Sequence, residues 1–102
     1  MRIEWSEPAV LDLESIKEFI SRDSEYYAIE FTSRIIEMIE KLAAFSNLGR
    51  KAPEVDDDNI REIVFYNYRI IYKLTNESIL ILGIIHAARD LNNVKPQPWE
   101  DS

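Results

Sequence analysis

The 102-residue sequence contains no cysteine, one histidine and two glycines. Without cysteine the chain cannot form disulfides, thiolate metal sites or a cysteine nucleophile, and a single histidine excludes most histidine-based metal sites. The longest apolar run, Ile79–Ile85, is too short to cross a bilayer, which needs about 20 residues. The start, Met-Arg-Ile-Glu-Trp, has no secretory pattern. These absences predict a cytoplasmic protein that uses no metal or other cofactor.

Positive charge is scarce and unevenly distributed. The net charge is −7, and residues 1–60 carry seven basic and fourteen acidic side chains. Residues 61–95 carry five basic and three acidic side chains. A strongly acidic protein is a poor general binder of nucleic acids, because phosphate neutralisation needs clustered lysine and arginine. Any anionic partner is therefore expected to contact the second half of the chain.

The first half reads as one strand and two helices. Alternation over Arg2–Ser6 predicts a short strand, and Ser6 is suited to cap a helix that runs to about Ser21. A second helix is predicted from about Glu25 to Phe45, with Gly49 ending it in a left-handed cap. Helices joined by so short a break are expected to form an antiparallel hairpin.

The second half reads as strands. Residues 46–60 are rich in turn formers, so they are predicted to form a loop. Three β-rich runs follow, Ile60–Phe65, Tyr68–Leu74 and Ile79–Ala87, separated by breaks short enough for hairpins. The predicted fold is α+β in the order β-α-α-β-β-β, with a helical hairpin packed on one face of a twisted antiparallel sheet. We assign residues 1–91 to one domain and 92–102 to an extended tail.

The last hairpin allows the two sheet faces to be assigned. If Leu74 pairs with Ile79, one face is apolar and meets the helices. The other face is left for water or a partner, and its predicted members are Arg69, Ile71, Lys73, Leu80, Leu82, Ile84 and His86. Two cations and an imidazole suit a phosphate or carboxylate. Two alternatives stay open: the cations are merely solvated, and the histidine is structural.

Two further groups have simple interpretations. The acidic run Asp56–Asp58 is interpreted as a solvated loop rather than a metal site. The aromatic residues Trp5, Phe19, Phe31 and Phe45 are predicted to lie in the core. Trp99, on the proline-containing tail, is expected to dock onto a partner or back onto the domain.

The chain resembles the RelE/ParE superfamily of toxins from type II toxin–antitoxin systems, also called plasmid-stabilisation proteins. The similarity extends from Ile3 to about Leu91. It is carried by Trp5-Ser6-Glu7-Pro8-Ala9 with Leu11-Asp12-Leu13, by Leu42 with Asn47-Leu48-Gly49-Arg50, by Arg61-Glu62-Ile63, by Tyr68-Arg69-Ile70-Ile71-Tyr72, and by Ile79–Ile85 running into His86-Ala87-Ala88-Arg89-Asp90.

The resemblance implies one of two activities. RelE-like members are ribosome-dependent mRNA endonucleases (mRNA interferases) that need no metal, and in that case Arg61, Arg69, His86 and Arg89 would form the catalytic set. ParE-like members are reported to inhibit DNA gyrase without hydrolytic activity. Glu62 and Val64 stand on a strand that is lysine-rich in the ribonucleases, and the ending His86-Ala87-Ala88-Arg89-Asp90-Leu91 is similar to the ParE-like one. The ParE-like reading is therefore preferred.

The resemblance also implies a cognate antitoxin as the main partner. Its acidic, apolar segment is expected to cover the less acidic half of the chain. The predicted partner-binding residues are Arg61, Arg69, Ile71, Lys73, Leu82, Ile84, Arg89 and Trp99. A homodimer and a toxin–antitoxin hetero-oligomer both stay possible, as does a non-toxic family member that only binds the antitoxin.

Overall fold

A computed structural model describes residues 1–88 of the chain. The predicted sites at Arg89 and Trp99, and the predicted tail 92–102, lie outside the described residues. The described elements are β1 (Arg2–Trp5), α1 (Glu7–Ser21), α2 (Glu25–Lys41), β2 (Arg50–Lys51), β3 (Ile60–Phe65), β4 (Tyr68–Leu74) and β5 (Ser78–His86). None of these helices has the length and apolar character needed to span a membrane.

The α+β fold is confirmed, but the sheet is mixed rather than antiparallel. Its five strands lie in the order β1-β5-β4-β3-β2, and β1 runs parallel to β5. The other neighbours are antiparallel. No tight turn joins β1 to β5, so nothing forces that pair into the antiparallel arrangement of a hairpin. The short strand β2 lies within the segment that the sequence predicted as loop.

Side-chain caps start both helices, as the sequence predicts for the first. The hydroxyl of Ser6 accepts a hydrogen bond from the Ala9 N–H, and that of Ser24 accepts one from the Tyr27 N–H. Helix α2 ends at Lys41 rather than at Phe45, because the chain continues in tight turns. Gly49 has no left-handed backbone, so the prediction that it caps α2 is wrong.

The main core lies between the helices and one sheet face. Phe31 is buried there and Trp5 packs against it, as predicted. Phe19 and Phe45 are 61% and 65% exposed, so their placement in the core is wrong. Phe19 lies beside the buried stripe of α1 and Phe45 lies beyond the end of α2, and neither position faces the sheet. The buried core consists of Ala9, Ile16, Phe31, Ile35, Ile39, Leu42, Ile70, Tyr72, Ile79, Ile81 and Ile84.

A β-bulge in β5 changes the predicted faces. Leu74 pairs with Ile79 as predicted, but the register shifts by one residue between Ile71 and Tyr72. An extra residue in one strand reverses the faces of everything beyond it. Ile84 therefore packs in the helix-side core, and His86 pairs with Tyr68 on that side. Their assignment to the second face is wrong, and Ile85 occupies that face instead.

The start of α1 supplies polar partners to the bulge. The Ser6 hydroxyl donates to the Leu82 carbonyl over 3.1 Å. A carboxylate oxygen of Asp12 accepts from the Ile84 N–H over 2.9 Å. A bulge interrupts the ladder and leaves backbone groups without strand partners, and buried groups of that kind need other partners. Asp12 thus ties α1 to the irregular part of β5.

This tie predicts that Asp12→Ala lowers the free energy of unfolding by about 1–3 kcal/mol, the cost of leaving a buried N–H without an acceptor. Chemical denaturation followed by circular dichroism measures it. Glu14→Ala is the control, because Glu14 lies at an exposed position of the same helix. It is expected to change the free energy of unfolding by less than about 0.5 kcal/mol. Equal effects of the two substitutions would contradict the role of Asp12.

Candidate functional site

The second sheet face is covered by the chain itself. Ile71 and Leu82 are fully buried there, in a cluster with Ala52 and Val55 from the segment that connects β2 and β3. The Ala52 N–H donates to the Ile60 carbonyl, and the Val55 N–H donates to the Ala52 carbonyl. These bonds turn the segment back over the sheet. The expectation that this face is open is therefore wrong.

Arg69 is buried in the same face and is bound by two carboxylates. Its two terminal nitrogens donate to the two carboxylate oxygens of Glu54, each over 2.7 Å. Its Nε donates to Glu62 over 2.8 Å, and a terminal nitrogen also contacts that carboxylate. The hydrogen bonds that Arg69 donates to Glu54 raise the pKa of Arg69 above its ordinary value; burial opposes this shift, and the hydrogen bonds donated to Glu62 add to it. The guanidinium stays charged, and the two carboxylates compensate its charge.

Glu62 connects this pair to a second arginine. Its side chain is 1% exposed, and its other oxygen accepts from Nε and from a terminal nitrogen of Arg50 over 2.9 and 2.8 Å. We call the four residues Arg50, Glu54, Glu62 and Arg69 the Arg69 cluster. A buried charge is tolerated only when it is paired and hydrogen-bonded, and each acidic member meets this condition through Arg69.

Sequence reasoning did not identify the two acidic members of the Arg69 cluster as partners of Arg69. A signal for Glu62 was present, because it stands diagonally across the β3–β4 hairpin from Arg69, within reach of a long side chain. Glu54 has no such signal. It reaches Arg69 because the segment after β2 folds over the sheet, and no periodic pattern in the sequence predicts the course of that segment.

Among the residues that the structure describes, the other polar residues of the predicted site do not converge on Arg69. Arg61 pairs with Tyr72, on the helix side of the sheet, and donates to the Gly49 carbonyl over 3.0 Å. His86 is exposed on the helix side, where its Nδ1 accepts from the Ala88 N–H. Lys73 lies half-buried between Ile60 and Leu80.

Gly49 is required for a close contact beneath the Arg69 cluster. Its N–H donates to the buried hydroxyl of Tyr72, which donates in turn to the Ser46 carbonyl. A Cβ at position 49 would lie 2.4 Å from that hydroxyl and 2.5 Å from the Glu62 carbonyl oxygen. Burial raises the pKa of Tyr72, although the Gly49 N–H and Arg61 oppose the shift. The chain between α2 and β2 is thereby held against the sheet.

Comparisons with known proteins agree with the fold described above. Residues 3–91 match the family described as the ParE toxin of the type II toxin–antitoxin system, parDE. The chain belongs to this family. A solved structure described as the chromosomal ParDE TA system from P. aeruginosa has the same fold, with a TM-score of 0.71. The two chains are 20% identical, and the similarity covers 84% of this chain and 95% of the other. No curated protein sequence matches significantly.

Membership of the ParE toxin family agrees with the fold described above, a helical hairpin against a sheet. It does not by itself assign a chemistry to the Arg69 cluster. The ribonuclease interpretation requires Arg69 to bind a phosphate. In this ParE-family chain, Arg69 instead pairs with two of the protein's own carboxylates.

The Arg69 cluster predicts a large difference between two acidic residues. Glu62→Ala leaves Arg69 and Arg50 without a shared carboxylate and is expected to lower the free energy of unfolding by about 3–5 kcal/mol, as for a broken buried ion pair. Glu30→Ala is the matched control, because Glu30 pairs with Arg34 on an exposed helix face and is expected to contribute about 0.5 kcal/mol or less. Urea unfolding of both variants measures the difference, and comparable losses would contradict the structural role of Glu62.

Proposed function

We propose that this ParE-family toxin acts by binding and inhibiting DNA gyrase in the cytoplasm, that it does not cleave RNA, and that a cognate antitoxin neutralises it. The observation that carries the proposal is the engagement of Arg69 by Glu54 and Glu62. The family match supports the toxin role, and the arrangement of charges supports the binding mechanism over the hydrolytic one.

RNA cleavage without a metal needs several groups around one phosphate. A base must activate the 2′-hydroxyl, cations must stabilise the phosphorane, and an acid must protonate the leaving oxygen. Arg69 is buried and paired on one sheet face, whereas Arg61 and His86 lie on the helix side. A phosphate at Arg69 would have to displace two carboxylates from a buried site. The described members of the ribonuclease set therefore give little support to that alternative.

The gyrase proposal is tested with purified components. Added to gyrase and relaxed plasmid, the chain is expected to reduce ATP-dependent supercoiling in a dose-dependent way. Programmed ribosomes incubated with the same preparation are expected to retain intact messenger RNA, measured by primer extension. Unchanged supercoiling together with cuts in the ribosomal A site would instead support the ribonuclease alternative, and inactivity in both assays of a correctly folded sample would support a non-toxic binder.

A groove between α2 and β3 is the surface that best suits the antitoxin. It has a volume of about 440 Å³, and apolar side chains of Met38, Leu48, Ile63 and Val64 line most of it. At its border lies Arg50, whose side chain donates to Glu62 and is still 72% exposed. Apolar lining beside an exposed cation suits an acidic segment with apolar anchors.

The predicted partner-binding residues within residues 1–88 divide into two groups, whereas Arg89 and Trp99 lie outside the described part of the chain. Arg61 and Lys73 keep part of their surface exposed and remain available to a partner. Ile84 is buried beneath the helices, and Arg69, Ile71 and Leu82 are buried on the second face. A partner could reach Arg69, Ile71 and Leu82 only after the segment between β2 and β3 moved away, and Ile84 only after the helices separated from the sheet.

The groove predicts the effect of one charge on antitoxin binding. Leu48→Asp places a carboxylate among the apolar anchors and is expected to weaken binding of the co-encoded antitoxin by about tenfold or more, measured by isothermal titration calorimetry. Leu11→Asp is the control, because Leu11 on α1 is 53% exposed and Leu48 is 52% exposed. Unchanged affinity for the Leu48 variant, or an equal loss for both, would exclude this groove as the binding surface.

A further inference from the structure

The outer edge of β1 carries unpaired backbone groups. On the side of β1 that faces β5, the Arg2 N–H donates to the Glu77 carbonyl just before β5, and the Ser6 N–H donates to the Ile81 carbonyl within it. Because successive residues of a strand point their N–H and C=O groups to opposite sides, those of Ile3 and Trp5 face away from β5. Within the described part of the chain, no hydrogen bond is formed by the backbone of Ile3 or Trp5 toward that open side.

The opposite edge of the sheet is protected. Strand β2 has only two residues, and the ammonium group of Lys51 is held between Asp56 and Asp58 over 3.6 and 3.4 Å. Short edge strands with charged side chains disfavour strand addition. Strand β1 is longer and contains neither proline nor a bulge. It is also held firmly, because Ile3 and Trp5 pack against the main core.

The side chains on β1 are self-complementary. Arg2 and Glu4 lie on the same face of the strand and form an exposed ion pair within one copy over 2.8 Å, with side chains 65% and 44% exposed, so pairing between copies would exchange this partner for the same one on the second copy. If two copies of β1 pair antiparallel about Ile3, Arg2 of each copy stands opposite Glu4 of the other. Directly opposed charges of opposite sign stabilise a strand pair. The same register places the open N–H and C=O of Ile3 against those of the second Ile3, where they form two hydrogen bonds.

We propose that the chain forms a symmetric dimer in which the β1 edges of two copies pair antiparallel about Ile3. The two five-stranded sheets then join into one ten-stranded sheet. The interface is isologous, because both copies use the same strand edge, so the assembly is complete with two copies. A contact along two strand edges is smaller than a standard stable interface, and interfaces that bury less than about 1,200 Å² are typical of weak complexes. The dimer is therefore expected to dissociate into monomers in the micromolar concentration range.

A charge swap tests the proposal. In Arg2→Glu and in Glu4→Arg, like charges face each other across the dimer, and each variant is expected to weaken the dimer by about tenfold. The double variant Arg2→Glu/Glu4→Arg restores both opposed pairs and is expected to recover the original dissociation constant. Sedimentation velocity over a range of protein concentrations measures the dissociation constants of the unmodified chain, the two single variants and the double variant. Arg34→Glu/Glu30→Arg, a swap of an exposed pair on α2, is the control and is expected to leave association unchanged.

Amide exchange gives a second readout that does not depend on the variants. In the unmodified chain, exchange at the Ile3 amide is expected to slow as the concentration rises through the dimer range. A chain that stays monomeric at all soluble concentrations would overturn the proposal. So would a dimer that is insensitive to both single variants, since it would use another surface. Protection of the Ile3 amide only after an antitoxin is added would assign the edge to the antitoxin and would also overturn it.

Discussion

The pairing of Arg69 with Glu54 and Glu62 is the interaction on which the second sheet face depends. Three charged groups are brought together in a nearly dry environment, and each is tolerated there because the others compensate it. The pairing fastens the segment after β2 across the sheet, and that segment covers Ile71 and Leu82. A face that would otherwise be apolar and open becomes a second, smaller core.

This pairing also changes what the chain can do chemically. An arginine that is free on a sheet surface can bind a phosphate, whereas one that already donates to two carboxylates offers little net charge to a ligand. The same fold thus hosts different activities according to which charges stand around one position. In this chain, Glu62 on β3 and Glu54 after β2 accept the hydrogen bonds of Arg69, and the proposed binding mechanism depends on that arrangement.

The order of the elements other than β2 could be predicted from the sequence, and so could the cap at Ser6 and the pairing of Leu74 with Ile79. Each of these depends on contacts between residues close together in the chain, where periodicity and turn chemistry are informative. The bulge in β5 could not be predicted. It depends on Ser6 and Asp12, which lie about seventy residues earlier and supply the partners that the interrupted ladder needs. One extra residue was enough to move Ile84 and His86 to the other face.

The sequence by itself determined the α+β class, the helical hairpin, the acidic first half and the resemblance that the family match confirms. Only the tertiary structure decided that two carboxylates compensate the charge of Arg69, that the second face is covered and that the outer edge of β1 is open. The physical reason is range: amphipathic periods and caps act over a few residues, whereas a buried ion cluster and a sheet edge are set by segments that meet only when the chain has folded.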